Sequence, residues 1–346
     1  MNKYFRIFSV ILVLNGFPSS AQTNSIHNLV FEGAGIRGIA YSGAIAELEN
    51  KKVLPGVKRI GGTSAGAVTA LMLSLGYNSN EIAGLVSKTN FSKFNDGKYF
   101  FPGGIVRLQK YFGWYRGIRF EKWLGDIILA KTNNRDITFL EMKERGFKDL
   151  YITGTSLDQQ RLIVFSYETF PHMRIRDAVR ISTSIPFYFE AVFIDNEGNR
   201  IRRPKNKSGL LLMVDGGFTA NFPIRIFDST KFITESKSNA FVVNEQTIGF
   251  RIDSDIQIRN DTTGNGLATV PIENFRDYLY AFFNIINENL NRQQLIKQDW
   301  ERTVSISDGN MKPSRIRKLT SLEINTLIGN GRAATATFLN KIIQKQ

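Results

Sequence analysis

A chain of 346 residues can bury one large α/β core or two small ones, and 42% hydrophobic with 22% charged residues is the balance of an ordinary globular protein. The absence of cysteine excludes disulfides, thiolate metal sites and a lipid-modified cysteine, and two histidines 145 positions apart form no metal-ligand pair, so neither metal nor cofactor is expected. The net charge of +14 favours anionic partners, but no nucleic-acid-binding module is recognisable and nucleic acid is not an expected partner.

In chain order, residues 1–21 read as a signal peptide, with Lys3 and Arg6 ahead of an apolar run from Ile7 to Leu14 and small residues Ser19, Ser20 and Ala21 for cleavage. Export to the periplasm or the medium is therefore expected, and residues 22–346 form the mature domain, still at +12. Asn28 to Phe31 reads as a buried strand running into a glycine-rich loop, Gly33-Ala34-Gly35-Ile36-Arg37-Gly38, and then a small-residue helix. Such a loop presents backbone N–H groups at the positive end of a helix and can hold a phosphate or a tetrahedral oxyanion. A dinucleotide site would want an acid about 20 residues on, at the end of the next strand. That strand ends Arg59-Ile60-Gly61-Gly62 without one.

The same strand runs into Gly62-Thr63-Ser64-Ala65-Gly66, a sharp strand-to-helix turn that admits only small neighbours and makes Ser64 a candidate nucleophile. Between Phe91 and Leu124, aromatics such as Trp114 and Tyr115 mix with lysines and arginines, which suits either an anionic lipid interface or a core helix pair with charged outer faces. Tyr151 to Thr155 and Leu162 to Ser166 read as a hairpin, and helices are expected at about 79–90, 117–131, 174–182, 271–298 and 321–343. The apolar run Leu210 to Val214 reads as a buried strand ending in Asp215-Gly216-Gly217, which is otherwise a common turn. A later strand falls within 241–251, and 253–270 reads as a polar loop. Both histidines, His27 and His172, precede Asp215, so the usual Ser, Asp, His order of a nucleophile-elbow hydrolase cannot be built. A serine activated directly by Asp215 remains.

These three motifs, in this order, resemble the patatin-like phospholipases, with Asp215-Gly216-Gly217-Phe218-Thr219-Ala220-Asn221-Phe222-Pro223 and Ala178 to Pro186 as further points of likeness. The resemblance spans about Leu29 to Pro223. It implies a three-layer α/β/α hydrolase with a central mixed sheet, a Ser64–Asp215 dyad, an oxyanion loop of Gly33 to Gly38, and lipid esters, phospholipids foremost, as substrates, while the aromatic and basic segment from Phe91 to Leu124 points to peripheral membrane contact. Ala34 and Ser184 depart from the family pattern, and Ala34 matters only if its φ must be positive. Arg37 could pair with a substrate phosphate or brace the loop. An acyltransferase using the same dyad, and a non-catalytic anion- or nucleotide-binding module built on Gly33 to Gly38, are the alternatives. Oligomeric state is not legible.

Overall fold

The computed structural model describes residues 26–97, 100–234, 240–292, 295–311 and 317–344; residues 1–21, expected to be a signal peptide, lie outside them. Strand β1 (Asn28–Phe31) leads through the glycine-rich loop to helix α1 (Ala40–Asn50), and β2 (Arg59–Gly62) leads to α2 (Ala65–Ser74). After α3 (Ser79–Lys88), α4 (Phe100–Tyr111), β3 (Gly113–Tyr115), α5 (Ile118–Thr132) and the short α6 (Phe139–Glu144), the chain forms the hairpin β4 (Asp149–Ser156) and β5 (Arg161–Phe165). Helix α7 (Ile175–Ser182) precedes β6 (Phe187–Phe189), β7 (Val192–Ile194), β8 (Arg200–Ile201) and β9 (Leu211–Asp215). Then come α8 (Gly217–Ala220), α9 (Thr230–Thr234), β10 (Thr247–Asp253), α10 (Asp255–Thr263), α11 (Phe275–Arg292), α12 (Lys297–Glu301), β11 (Thr303–Ser307) and α13 (Ser321–Gln344).

The main sheet runs β11-β10-β1-β2-β4-β9-β7-β8, with β5 also on β4. Its β11, β10, β1, β2 and β4 are parallel, whereas β5, β9, β7 and β8 add antiparallel pairs, which makes it mixed and flanked by helices in an α/β/α arrangement. Parallel strands are buried on both faces and therefore read as unbroken apolar runs. Leu29, Val30 and Phe31 of β1 and Ile60 of β2 are indeed sealed from solvent, with Phe31 stacked on Phe250 of β10 at 5.0 Å. All parallel strands present their carboxyl ends on one edge, where an open α/β sheet places its ligands.

Three elements differ from the sequence expectation. The polar stretch 253–270 contains α10, which starts at a Ser254 side chain accepting from the Gln257 N–H (3.2 Å) and ends at Gly264 with φ 75°. It lacks an apolar face, so hydrophobic periodicity passes over it while its caps suffice to define it. The expected helix 271–298 begins at Phe275 rather than Pro271, capped by Asn274 on the Asp277 N–H (3.1 Å), and gives way to a separate α12. The later strand, expected within 241–251, starts at Thr247 and runs on to Asp253.

Candidate active site

Gly62 at the end of β2 lies opposite Ile152 of β4, and Gly154 of β4 lies opposite Asp215, so the turn after β2 and the end of β9 are brought level. Ser64 begins α2 with φ 52° and ψ −117°, a conformation that costs a non-glycine residue about 1–3 kcal/mol and persists only where its surroundings impose it. They do. A Cβ at Gly66 would lie 2.2 Å from the Phe31 carbonyl oxygen, so only glycine lets α2 approach β1 this closely. The Thr63 N–H donates to Phe31 O (3.1 Å), its hydroxyl donates to Ala220 O (2.8 Å), and the Ser64 N–H donates to the Ser182 hydroxyl on α7 (2.9 Å). The Ser64 side chain makes no cap bond to its own helix and lies near enough to the Asp215 carboxyl to act on its ionisation.

Asp215 is only 5% exposed. Its N–H donates to Ser184 O (3.0 Å), its carbonyl accepts from the Thr155 hydroxyl (2.9 Å), and its Oδ1 accepts from the Gly217 N–H (2.8 Å). Burial pushes the carboxyl up to about 7, against the opposing pull of the Gly217 N–H and the Ser64 hydroxyl. A carboxylate titrating near neutrality is a far better proton acceptor than a free aspartate.

The glycine-rich loop starts beside this pair. A Cβ at Gly33 would stand 3.2 Å from Ser64 Cβ and 2.3 Å from Asn221 Oδ1. The Gly33 N–H, expected among the oxyanion donors, is taken by Asn221 O (3.0 Å), whereas those of Ala34, Gly35 and Ile36 have no acceptor among the described residues. Ala34 has φ −132°, so alanine sits there without strain, and the positive φ of the loop (55°) falls on Gly35. Arg37 braces the loop, with Nε on Ala34 O (3.3 Å) and Nη1 on Asp308 (3.1 Å). It also lines a polar cavity of about 300 Å³ with Asp253, Glu288, Arg292 and Asp308. Gly38 packs on Ala65, a Cβ there reaching within 3.1 Å of the Ala65 methyl, and Gly216 and Gly217 pass close to Thr153 and Asp215.

Asn221 ties these parts together. Its amide donates to Gly33 O (3.1 Å) and Glu32 Oε1 (3.3 Å), its N–H donates to Asn291 Oδ1 (2.6 Å), and Asn291 in turn donates to Gly217 O (3.3 Å). Behind the loop, Glu32 is buried and pairs with the fully buried Arg251 (3.1 Å), which also reaches Asp253 and Glu288 (3.3 Å each). Burial raises the Glu32 carboxyl despite Arg251. Sequence reasoning assigned no role to Ser182, Asn291 or this ion cluster, since only the fold joins positions 32, 221, 251 and 288. His27 sits at the amino end of β1 with its ring on Gln246 (2.9 Å), and His172 is exposed in the loop before α7. No group of three or more His, Asp or Glu side chains that could hold a metal occurs among the described residues.

The aromatic segment divides. Phe94 and Phe120 are core, and Trp114 and Tyr115 are half-buried, Trp114 packing over Gly104 and Tyr115 against Tyr188 at 4.9 Å. Phe101 (66% exposed), Ile105, Val106 and Phe112 face solvent. Lys98 and Tyr99 lie outside the described residues.

Residues 29–228 match the family model described as patatin-like phospholipase, so the match contains the glycine-rich loop, the elbow and the Asp215 loop together. The chain belongs to the patatin-like phospholipase family. Among its relatives, the protein R571 of Acanthamoeba polyphaga mimivirus is 29% identical over 294 residues, covering 84% of this chain and 86% of that one. YqhO of Bacillus subtilis strain 168 is 33% identical over 212 residues (58% and 67%). The probable lipid hydrolase 463L of Invertebrate iridescent virus 6 is 24% identical over 314 residues (88% and 93%). VipD from Legionella pneumophila shares the patatin-like fold, with a TM-score of 0.51 at 15% identity over 92% of this chain and 67% of its own.

Proposed function

We propose that this patatin-like chain is a lipid acyl hydrolase of the phospholipase A or lysophospholipase type, with Ser64 as nucleophile and Asp215 as base. The observation that carries this reading is the placement of the strained elbow serine beside a buried carboxyl raised to about 7, next to a loop with three uncommitted N–H donors. In this mechanism Ser64 Oγ attacks the ester carbonyl carbon as its proton passes to Asp215. The N–H groups of Ala34, Gly35 and Ile36 hold the oxyanion, and the positive end of α2 adds to the same field. Collapse breaks the ester C–O bond, and the departing alcohol, a lysophospholipid or a glycerol derivative, takes the proton from Asp215. Water then attacks the acyl-enzyme, giving a proton to Asp215, and release of the fatty acid returns that proton to Ser64.

Two exposed apolar surfaces support delivery of substrate from a lipid aggregate. One joins Phe101 and Ile105 of α4 to Phe112 and Phe187, whose N–H donates to Phe112 O (3.2 Å) and which stands three residues beyond Ser184. The other is the α11 face of Phe275, Tyr278, Leu279, Phe282 and Ile285, on the helix whose last turn places Asn291 beside the Asp215 loop. Exposed patches of this kind mark interaction sites. Among the described residues no helix is long and apolar enough to cross a membrane.

Exposure to a fluorophosphonate probe, followed by peptide mass spectrometry and an assay on mixed phospholipids, tests the reading. Labelling at Ser64, lost with ester hydrolysis in a folded Ser64→Ala variant, is expected. A label on another serine, or hydrolysis persisting in Ser64→Ala, overturns it, and ligand-induced stabilisation without any serine reactivity would favour an anion-binding module.

A further inference from the structure

Apart from the candidate active site, the end of β3 and the β7–β8 hairpin enclose a cavity of about 170 Å³ whose wall includes Tyr111, Arg116, Glu190, Arg200, Arg202 and Arg203. Its surroundings hold an excess of positive charge. Glu121, almost sealed from solvent, is shared by Arg176 (3.9 Å), Arg200 (2.8 Å) and Arg202. Asp177 is shared by Arg174 (2.6 Å) and Arg200 (3.4 Å), Asp136 by Arg174 and Arg176, and Glu190 takes Arg203 (2.7 Å). The Arg116 guanidinium has no acceptor among the described residues, and its Nε is buried. Behind the cavity lies Arg180, fully buried, with no carboxylate within salt-bridge reach among the described residues. It donates to the carbonyls of two lining residues, Arg116 and Glu190 (3.2 Å each), and to the Ser184 hydroxyl (2.5 Å), and its Nε is unmatched. Burial and the like charge of Arg200 together push this guanidinium down to about 10. Counting Asp96, spent on the N–H groups of Gly117, Ile118 and Arg119, five carboxylates face seven arginines.

Uncompensated buried charge is expensive, and low-dielectric walls concentrate its field. Arginine forks from several directions match a tetrahedral oxyanion, and a cavity below the roughly 300–1,000 Å³ of drug-sized ligands excludes anything much larger. We propose that this cavity is a phosphate-binding site, taking inorganic phosphate or the phosphomonoester of a head group through Arg116, Arg202 and Arg203. The cavity neighbours the candidate active site, since Val192 in its wall pairs with Met213, two residues before Asp215, but its lining includes neither Ser64, Asp215 nor any residue of the glycine-rich loop. Binding there is therefore measurable without catalysis.

The test titrates inorganic phosphate into the full chain at constant ionic strength, with chloride as the reference, and reads melting temperature and calorimetric heat. Saturable one-to-one binding that raises the melting temperature is expected, weakened roughly tenfold or more in Arg116→Gln and in Arg203→Gln, the loss of one charge-assisted fork. Lys341→Gln, on the exposed end of α13, should bind like the parent. Vesicles of uncleavable ether-linked lipids identify the source. Preference for phosphatidic acid over phosphatidylserine at equal charge density, competed by free phosphate and lost in Arg116→Gln, makes it a lipid head group. Phosphate binding without that preference makes it a soluble anion. No phosphate-dependent change in the parent chain, or unaltered affinity in both arginine variants, overturns the site.

Discussion

At the scale of single residues, the proposed base, Asp215, has its carboxyl raised into the neutral range by burial. Only ionised Asp215 can accept the Ser64 proton, and its carboxyl is pushed up to about 7 by burial. The kcat/KM for a soluble short-chain ester should therefore climb tenfold per pH unit below about 7 and level off above it, and a flat profile between pH 5 and 8 would remove Asp215 from the role. Stability carries the opposite sign. A carboxyl whose folded pKa exceeds its unfolded value favours the fold at low pH, and that contribution is lost as pH rises through about 7. Asp215→Asn, inactive but free of this titration, should accordingly melt higher relative to the parent at pH 8 than at pH 5, as calorimetry at the two pH values would show. Gly33 is the second sensitive position. A methyl there would displace Asn221 and with it the anchor of the oxyanion loop, so Gly33→Ala should lose roughly 10²-fold in turnover with little change in melting temperature, consistent with the cost of an ångström-scale misplacement. Unchanged turnover would mean that Asn221 does not position the loop.

At the scale of elements, the long C-terminal helix is bound to the fold by backbone contact. In α13, a Cβ at Gly331 would stand 2.0 Å from Ala40 O, and a Cβ at Gly43 of α1 would stand 1.9 Å from Ile328 O. Gly331→Ala must therefore push α1 and α13 apart despite its better helix propensity, and should destabilise by about 2 kcal/mol, lowering the melting temperature by a few degrees. A stabilised variant would show that the two helices slide without cost. The same elements explain what was legible beforehand. The buried strands announced themselves as apolar runs, and α13 was marked by its capping box, in which Thr320 and Glu323 exchange bonds at 3.2 and 2.8 Å. Helix α4 begins Phe-Phe-Pro-Gly-Gly, which reads as a break, and α6 has only six residues, too few for periodicity to register. Within the candidate site, Ser64, Asp215 and the glycine-rich loop lie in local motifs. Ser182, Asn291 and the Glu32–Arg251–Glu288 cluster depend on pairings far apart along the chain, and no local pattern records them.

At the scale of the whole molecule, charge and apolar exposure bear on the same question. A net charge of +14 for the full chain draws the protein to anionic surfaces over a distance of about one Debye length, and apolar side chains then decide whether it stays. Trp114 and Tyr115, the aromatics singled out by composition, are packed against Gly104, Phe101 and Tyr188, so replacing them would test the fold rather than the interface. The informative side chains are Phe101 with Val106 on α4, and Phe275 with Tyr278 on α11, all open to solvent. Immersing two such residues contributes about 2–4 kcal/mol, so each double serine variant should bind anionic vesicles at least about tenfold more weakly while cleaving a soluble ester at close to the parental rate. Sedimentation with vesicles across a salt series separates the two contributions. If salt abolishes binding and both double variants bind like the parent, contact is electrostatic alone and the apolar surfaces serve another partner. If the variants lose binding at every salt concentration, the two surfaces form the membrane face, and lipid enters from the edge of the sheet that carries the dyad.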